Sequence, residues 1–550
     1  MGRSRHVIFE KLKTLHREEL NALCSSRSYV SSSLGQIIRW FEYMLVGWWA
    51  VFNAALHREM DTFDIVTSIF FHILINFLLG ILLVWCLFAH FPPVVYVYNQ
   101  FSSRYAGGLS LVNFASPRLF QSLTEEEIAA AKISLSRPWH QNPSSEYIRV
   151  FDIDAAKVLL LLAAVMYEPN SREFHDALQS LKEAHQTDDK HAHQHAVSEV
   201  DQAIQGHGTV ISAFCEQLGI ESAMVSQLNS FSTACAAVFW DHDSNWIVVA
   251  FRGTSPTEFE EWVDDLKISQ VDAGPWLKGF GKVHMGFKNR IFPETADNMD
   301  DIKPYESIVS GVRELADHLL EDNPDETEVN VWFTGHSLGC AMASLAYARA
   351  ILNPGDFGPN IRVRDAYLFA APVVCDVVSV ETFNNAIKNT EDRGRTMWRV
   401  TNAGDAVATI LPEFGDREGL NLSPTNVLAF AHLGVEIKMR DYPMPSIFTG
   451  QTLHRKAQVK LASSFTEEQL EALRRNMLAK GAGLSVYERA ALQIPFLGRL
   501  LAHGTGECRM VYLVMDFQSV DERFIYDFQI VFYWDQLSRV GTGPCSWAFN

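Results

Sequence analysis

The sequence predicts an α/β protein with a hydrophobic segment at its N-terminal side, and three observations carry that expectation. In Val329–Ala350, a run rich in β-branched and aromatic residues (Val329, Val331, Trp332, Phe333, Thr334) suits a buried strand and passes at once into a helical pattern. Further apolar runs at 234–240, 246–251, 365–372 and 396–401 read as strands. Ile65–Phe91 carries no formal charge and is long enough to cross a bilayer with tilt.

A chain of 550 residues exceeds a single core, so one large domain with appendages, or two domains, is expected. The net charge of -19 excludes an easy basic face and argues against nucleic acid as partner. Eight scattered cysteines form no C-x-x-C pair, which points to buried free thiols rather than a zinc site or a disulfide scaffold.

Taken in order, residues 1–99 read as a membrane-anchoring region. Basic residues are dense at 1–30, with no cleavage-site pattern behind them. Tyr43–Leu56 is uncharged but short, as an interfacial helix would be, and the span itself is placed at about 65–91, stopped by Pro92 and Pro93. His72 and Asn76 inside it suit a helix-to-helix hydrogen bond or plain tolerance better than a site. The excess of basic residues before the span predicts one crossing with a cytosolic N-terminus; insertion of Tyr43–Leu56 as half of a hairpin would reverse that. Residues 100–150 turn polar and irregular and read as a linker, and 151–550 as the main domain, opened by a buried helix at Ala155–Tyr167. His191, His193 and His195 do not share one helix face and read as a solvated segment.

Within the main domain, the strand at Trp246–Phe251 runs into Arg252-Gly253-Thr254, setting an N–H and a hydroxyl at a strand terminus where an oxyanion can be held. Glu258–Leu266 is short and acidic, with Trp262 expected exposed among its charges, as in a mobile lid. His284, in the turn Gly281–Phe287, reads as structural. Gly335-His336-Ser337-Leu338-Gly339 has the G-x-S-x-G spacing of a nucleophile elbow, which makes Ser337 the candidate nucleophile. In the order nucleophile, acid, histidine, Asp405 follows the strand at 396–401, with Asp376 one strand earlier as its competitor. Gly434–Met439 alternates as an edge strand, and Thr466–Lys480 opens a helix with a capping-box spacing. Three histidines follow Asp405: His432, His454 and His503.

The segments VVAFRGT, EEWVDDL, GKVHMGF, VWFTGHSLG, RVTNAGDAVATILP and FAHLGVEIKM, in this order, resemble the class 3 (fungal, Rhizomucor-type) lipases of the α/β-hydrolase superfamily over about Ala155 to Leu537. The resemblance implies a central, mostly parallel sheet with helices on both faces. It also implies a Ser337, Asp405 and histidine triad, with Thr254 and the N–H of Leu338 as oxyanion hole and no metal or organic cofactor. His503 is the best match to the family's histidine, whose counterpart is trailed at once by an aromatic pair such as Tyr533-Trp534; residues 506–530 fit nothing in the pattern and read as an insertion. Cys340 departs from the family, standing where a glycine is usual. The activity so implied is hydrolysis of acylglycerol esters by a lipase acting at a membrane or lipid-droplet surface, in the endoplasmic reticulum or on a lipid droplet. A phospholipase, a carboxylesterase, or an inactive hydrolase-fold binding protein are the alternatives.

Overall fold

Layering follows from alternation within strands. Trp246, Val248 and Ala250 point into one apolar cluster and Ile247, Val249 and Phe251 into another, so both faces of the sheet are covered. The computed structural model describes residues 33–56, 62–89, 91, 93–94, 96–98, 100, 123–136, 148–168, 195, 208–226, 234–254, 262–263, 266, 270–293, 304–388, 395–402, 405, 408, 426, 429–439, 460–461 and 544–548.

In chain order the elements begin with helices α1 (Ser33–Leu56), α2 (Thr62–Ala89) and α3 (Glu125–Ser136), strand β1 (Ile148–Asp152), and helices α4 (Ile153–Val165) and α5 (Gly208–Leu218). Strands β2 (Glu221–Ser226), β3 (Ala236–Trp240), β4 (Trp246–Phe251), β5 (Gln270–Asp272) and β6 (Lys282–His284) lead to helices α6 (Met285–Ile291) and α7 (Pro304–Asp322). Then come β7 (Val329–His336), α8 (Leu338–Leu352), β8 (Ile361–Phe369), α9 (Val377–Lys388), β9 (Met397–Asn402), β10 (Val435–Met439), β11 (Lys460–Leu461) and β12 (Pro544–Ala548).

Seven strands form the main sheet in the order β10-β9-β8-β7-β4-β3-β2. Its members from β4 to β10 run parallel and only β2 and β3 are antiparallel, which is the mostly parallel sheet expected. Helices α6 to α9 cover one face and α3 to α5 the other. Every residue of α4 is buried, the mark of a helix apolar all round and set between layers. Asp152 starts it, its Oδ1 accepting from the N–H groups of Asp154 and Ala155 at 3.0 and 3.1 Å.

Inside the stretch read as linker, α3 is a formed helix. Thr124 and Glu127 cap it reciprocally, the Glu127 N–H bonding Thr124 Oγ1 at 3.2 Å and the Thr124 N–H bonding Glu127 Oε2 at 3.0 Å. Ion pairs from Lys157 to Glu127 (2.6 Å) and from Lys132 to Asp241 (2.9 Å) fasten it to the sheet's face.

The two N-terminal helices pack against each other antiparallel. Gly47 lies over the His72 ring and Gly80 over Trp40, and a Cβ at Gly47 would come within 2.9 Å of that ring, so the glycine is what lets the helices approach. The bonds of His72 and Asn76 that stand out run within α2, from His72 Nδ1 to Ser68 O and from Asn76 Nδ2 to His72 O. Thr62–Ala89 is long and apolar enough to cross a membrane. Along α2 a stripe of Asp64, Ser68, Phe71, Ile75, Leu79, Leu83 and Cys86 is buried. Its apolar members share one cluster with Val263, Leu266, Val373 and Phe430 of the sheet domain. Trp262, expected exposed, is half-buried against that cluster. Polar bonds cross the same boundary: Asn426 Nδ2 donates to Asp64 Oδ1 at 2.7 Å and to Thr67 Oγ1 at 3.1 Å, and the Tyr43 hydroxyl donates to Leu266 O at 2.5 Å.

Candidate active site

Ser337 stands between β7 and α8 with φ 57° and ψ -128°, a backbone conformation that L-residues with a Cβ rarely adopt. Such a turn persists only where its surroundings leave no alternative. Here the Ser337 N–H bonds Phe369 O at 3.0 Å and the Cys340 N–H bonds Ser337 O at 2.9 Å. A Cβ on Gly335 would come within 2.7 Å of the Gly339 carbonyl carbon, and one on Gly339 would strike the Phe251 carbonyl. The two glycines of the motif are thus the points where strand, turn and helix touch. The Ser337 side chain caps no backbone N–H, and the residue is 7% exposed. At the head of α8, first-turn N–H groups without helical partners and the helix dipole favour negative charge beside it.

Cys340, where the resemblance leads one to expect glycine, is accommodated within this packing. Its Sγ lies 3.0 Å from both Gly335 O and Phe369 O and shares its one proton between them, setting the helix against the two strands around the elbow. Burial raises the thiol's pKa well above its usual value, and the nearby Asp405 carboxylate raises it further. It is a neutral structural group.

The oxyanion candidates meet at this corner. Parallel pairing sets Phe251 opposite Gly335, so Arg252-Gly253-Thr254 continues alongside His336 and Ser337. Thr254 is buried, and Leu338 is the first residue of α8. Between the two segments sits Tyr167, just past α4. Its hydroxyl lies 3.0 Å from His336 Nδ1 and 3.3 Å from His336 O, and a Cβ on Gly253 would collide with it. Sequence reading saw Tyr167 only as the end of a buried helix; here it is the wedge that spaces the Thr254 segment from the elbow.

Asp405 is fully buried, close enough to Cys340 to perturb its thiol, and Oδ1 accepts from the Ala408 N–H at 3.4 Å. Its competitor Asp376 is spent on structure, accepting from the N–H groups of Lys282 (2.8 Å) and Ser379 (2.9 Å) and from the Ser379 hydroxyl (2.7 Å). His284 caps α6 and stacks on Phe287 at 3.7 Å between ring centroids. His432 is buried ahead of β10. His503, His454 and residues 506–530 lie outside the described residues.

A serine on a tight turn between a strand and a helix of a mostly parallel sheet flanked by helices fits the α/β-hydrolase class. Residues 248–415 match the family model described as lipase (class 3). Among characterised sequences, the chain is 30% identical over 132 residues to triacylglycerol lipase OBL1 of Arabidopsis thaliana, across 20% of this chain and 24% of that one. It is 25% identical over 184 residues to the putative lipase LIH1 of Saccharomyces cerevisiae, across 33% of this chain and 49% of that one. The matched stretches thus span about a quarter and about half of these relatives' lengths. Similar solved structures include a Rhizomucor miehei lipase propeptide complex (19% identity, 56% of this chain and 80% of that one, TM-score 0.31) and lipase II from Rhizopus niveus (17%, 53% and 83%, TM-score 0.29).

Proposed function

We propose that the protein is a membrane-associated serine lipase that hydrolyses carboxylic ester bonds of acylglycerols through Ser337, Asp405 and His503. The observation that carries this reading is the left-handed turn at Ser337, beside the end of β4 and at the head of α8. In the reaction, His503 takes the Ser337 proton as Oγ attacks the ester carbonyl carbon. Asp405 orients the imidazole and stabilises its positive charge. The Thr254 hydroxyl and the Leu338 N–H donate to the oxyanion. The glycerol oxygen leaves with the proton from His503, and a water deprotonated by the same histidine releases the fatty acid and restores Ser337. Acylglycerol is preferred over other esters because the relative from Arabidopsis is named a triacylglycerol lipase. The exposed apolar surface of α1 and α2 favours a substrate held in a lipid aggregate, at the endoplasmic reticulum or a lipid droplet. In this reading residues 1–99 anchor the protein, 100–150 connect, 151–550 form the hydrolase, and 506–530 are an insertion.

The deciding experiment pairs Ser337→Ala with a panel of tri-, di- and monoacylglycerols and phospholipids. Wild type should hydrolyse acylglycerols and bind a fluorophosphonate, and Ser337→Ala should lose both by about 10⁵-fold or more with an unchanged melting curve. Wild type that neither hydrolyses nor labels would make the chain a hydrolase-fold binding protein instead.

A further inference from the structure

We propose that α1 and α2 form a monotopic raft lying in the plane of a single phospholipid leaflet, with the catalytic edge of the hydrolase seated on it. The argument starts from where the helix pair is bonded and where it is tethered. Asp64, close to the connector between the helices, is bonded to Asn426 of the hydrolase. The covalent link to the hydrolase leaves from the other end of α2, at Ala89. At 1.5 Å per residue these two points are about 38 Å apart along the helix, more than the roughly 30 Å hydrocarbon core of a bilayer. An α2 standing upright would therefore set Asn426 in one headgroup layer and the outgoing chain in the other.

The chain has no means to return. It rejoins the hydrolase at α3, which ion pairs fix to the sheet. On the way, Arg104 and Arg118 divide the uncharged residues after Ala89 into two runs, 90–103 and 105–117, each shorter than the ~20 residues a further crossing requires. One hydrolase cannot occupy both sides, so the docked pair lies along the surface.

The exposed side chains agree with that orientation. Among the described residues, every exposed large apolar side chain except Ile133 and Val378 falls between residues 38 and 97. Phe63, Phe70, Phe77 and Val84 repeat every two turns along the whole of α2, and Leu45 and Phe52 do so on α1, each more than half exposed. The buried stripe of α2 is turned to α1 and the hydrolase, which leaves the exposed apolar side chains on the side away from it.

What the raft holds against lipid is the catalytic edge. Val263 and Leu266 follow β4, as Thr254 does; Val373 follows β8; and Phe430 adjoins the bridge from Ala431 to Cys375 beyond the same strand. Ser337 and Asp405 follow β7 and β9 at that edge. An acyl chain entering from the leaflet would meet the helix pair before it meets the serine.

This inference rests on the membrane association proposed above but uses no catalytic readout, so Ser337→Ala protein must give the same results. In sealed vesicles carrying the full chain, a protease site inserted between Glu59 and Met60 should be cut from the same side as a C-terminal tag, without detergent. A connector protected until detergent is added, or a connector and tag on opposite sides, would overturn the proposal. As an independent check without the insertion, the wild-type chain should bind phospholipid-coated triolein droplets within about twofold of its binding to phosphatidylcholine vesicles, because a raft crosses nothing and needs only a monolayer. Binding to vesicles with exclusion from droplets would indicate a crossing hairpin, and a soluble dimer that binds neither would assign the apolar face to a second copy; either sinks the raft.

Discussion

The elbow and the helix pair are both tightly packed, yet they are held by opposite means. Around Ser337 the restraint is backbone against backbone: Gly339 leans on the Phe251 carbonyl, and the Ser337 N–H is tied to Phe369. Between the helix pair and the hydrolase the restraint is apolar area, with the bonds of Asn426 and Tyr43 setting the register. Backbone contacts have no slack, so the elbow should fail abruptly under the smallest change. Side-chain contacts repack, so the helix interface should lose affinity in steps.

The largest effect tests whether the elbow works alone. His503→Ala should lower acylglycerol hydrolysis by about 10⁴-fold or more, while His454→Ala and His432→Ala retain hydrolysis; an active His503→Ala enzyme would move the base elsewhere. Deletion of residues 506–530 should preserve activity, and loss of activity would make that segment a working part of the fold. Next, Thr254→Val removes a hydroxyl at nearly constant volume, and kcat should fall about 10²- to 10³-fold with little change in KM. Gly339→Ala adds one methyl group where the Phe251 carbonyl already sits, and unfolding measurements should register a loss of about 2–4 kcal/mol. A melting curve equal to wild type would show that the elbow has slack after all. The smallest effect belongs to the interface. Asp64→Ala removes the acceptor that faces Asn426 without adding bulk, costing about 1–3 kcal/mol of docking. Hydrogen exchange at residues 429–439 should quicken, while the protein's melting curve stays in place.

How much of this was legible depended on the reach of each constraint. The elbow could be read because its steric demands fall within the five residues from Gly335 to Gly339, and the central strands because their apolar runs are continuous. Tyr167 was invisible as a wedge: its partner His336 is 169 residues away, and nothing beside Tyr167 marks it. Helix α3 was missed for a different reason. Its capping pair Thr124 and Glu127 is present in the sequence, but average composition over 100–145 hides it. Ala370, with φ 65°, holds a second left-handed position at the end of β8 that no local residue type announces. Asp405 over Asp376 was an argument from order in the sequence, to which the three structural bonds of Asp376 now add a physical one.

The bond between Asn426 and Asp64 joins residues 362 positions apart in the chain. At a synthesis rate of about 5–20 residues per second, Asp64 leaves the ribosome roughly 20 to 70 seconds before its partner exists. During that interval α1 and α2 emerge with both the stripe that will dock on the sheet domain and their exposed apolar side chains uncovered. If the helix pair is the membrane-associated element proposed above, a ribosome making this protein should be drawn to a membrane well before Ser337 has been polymerised.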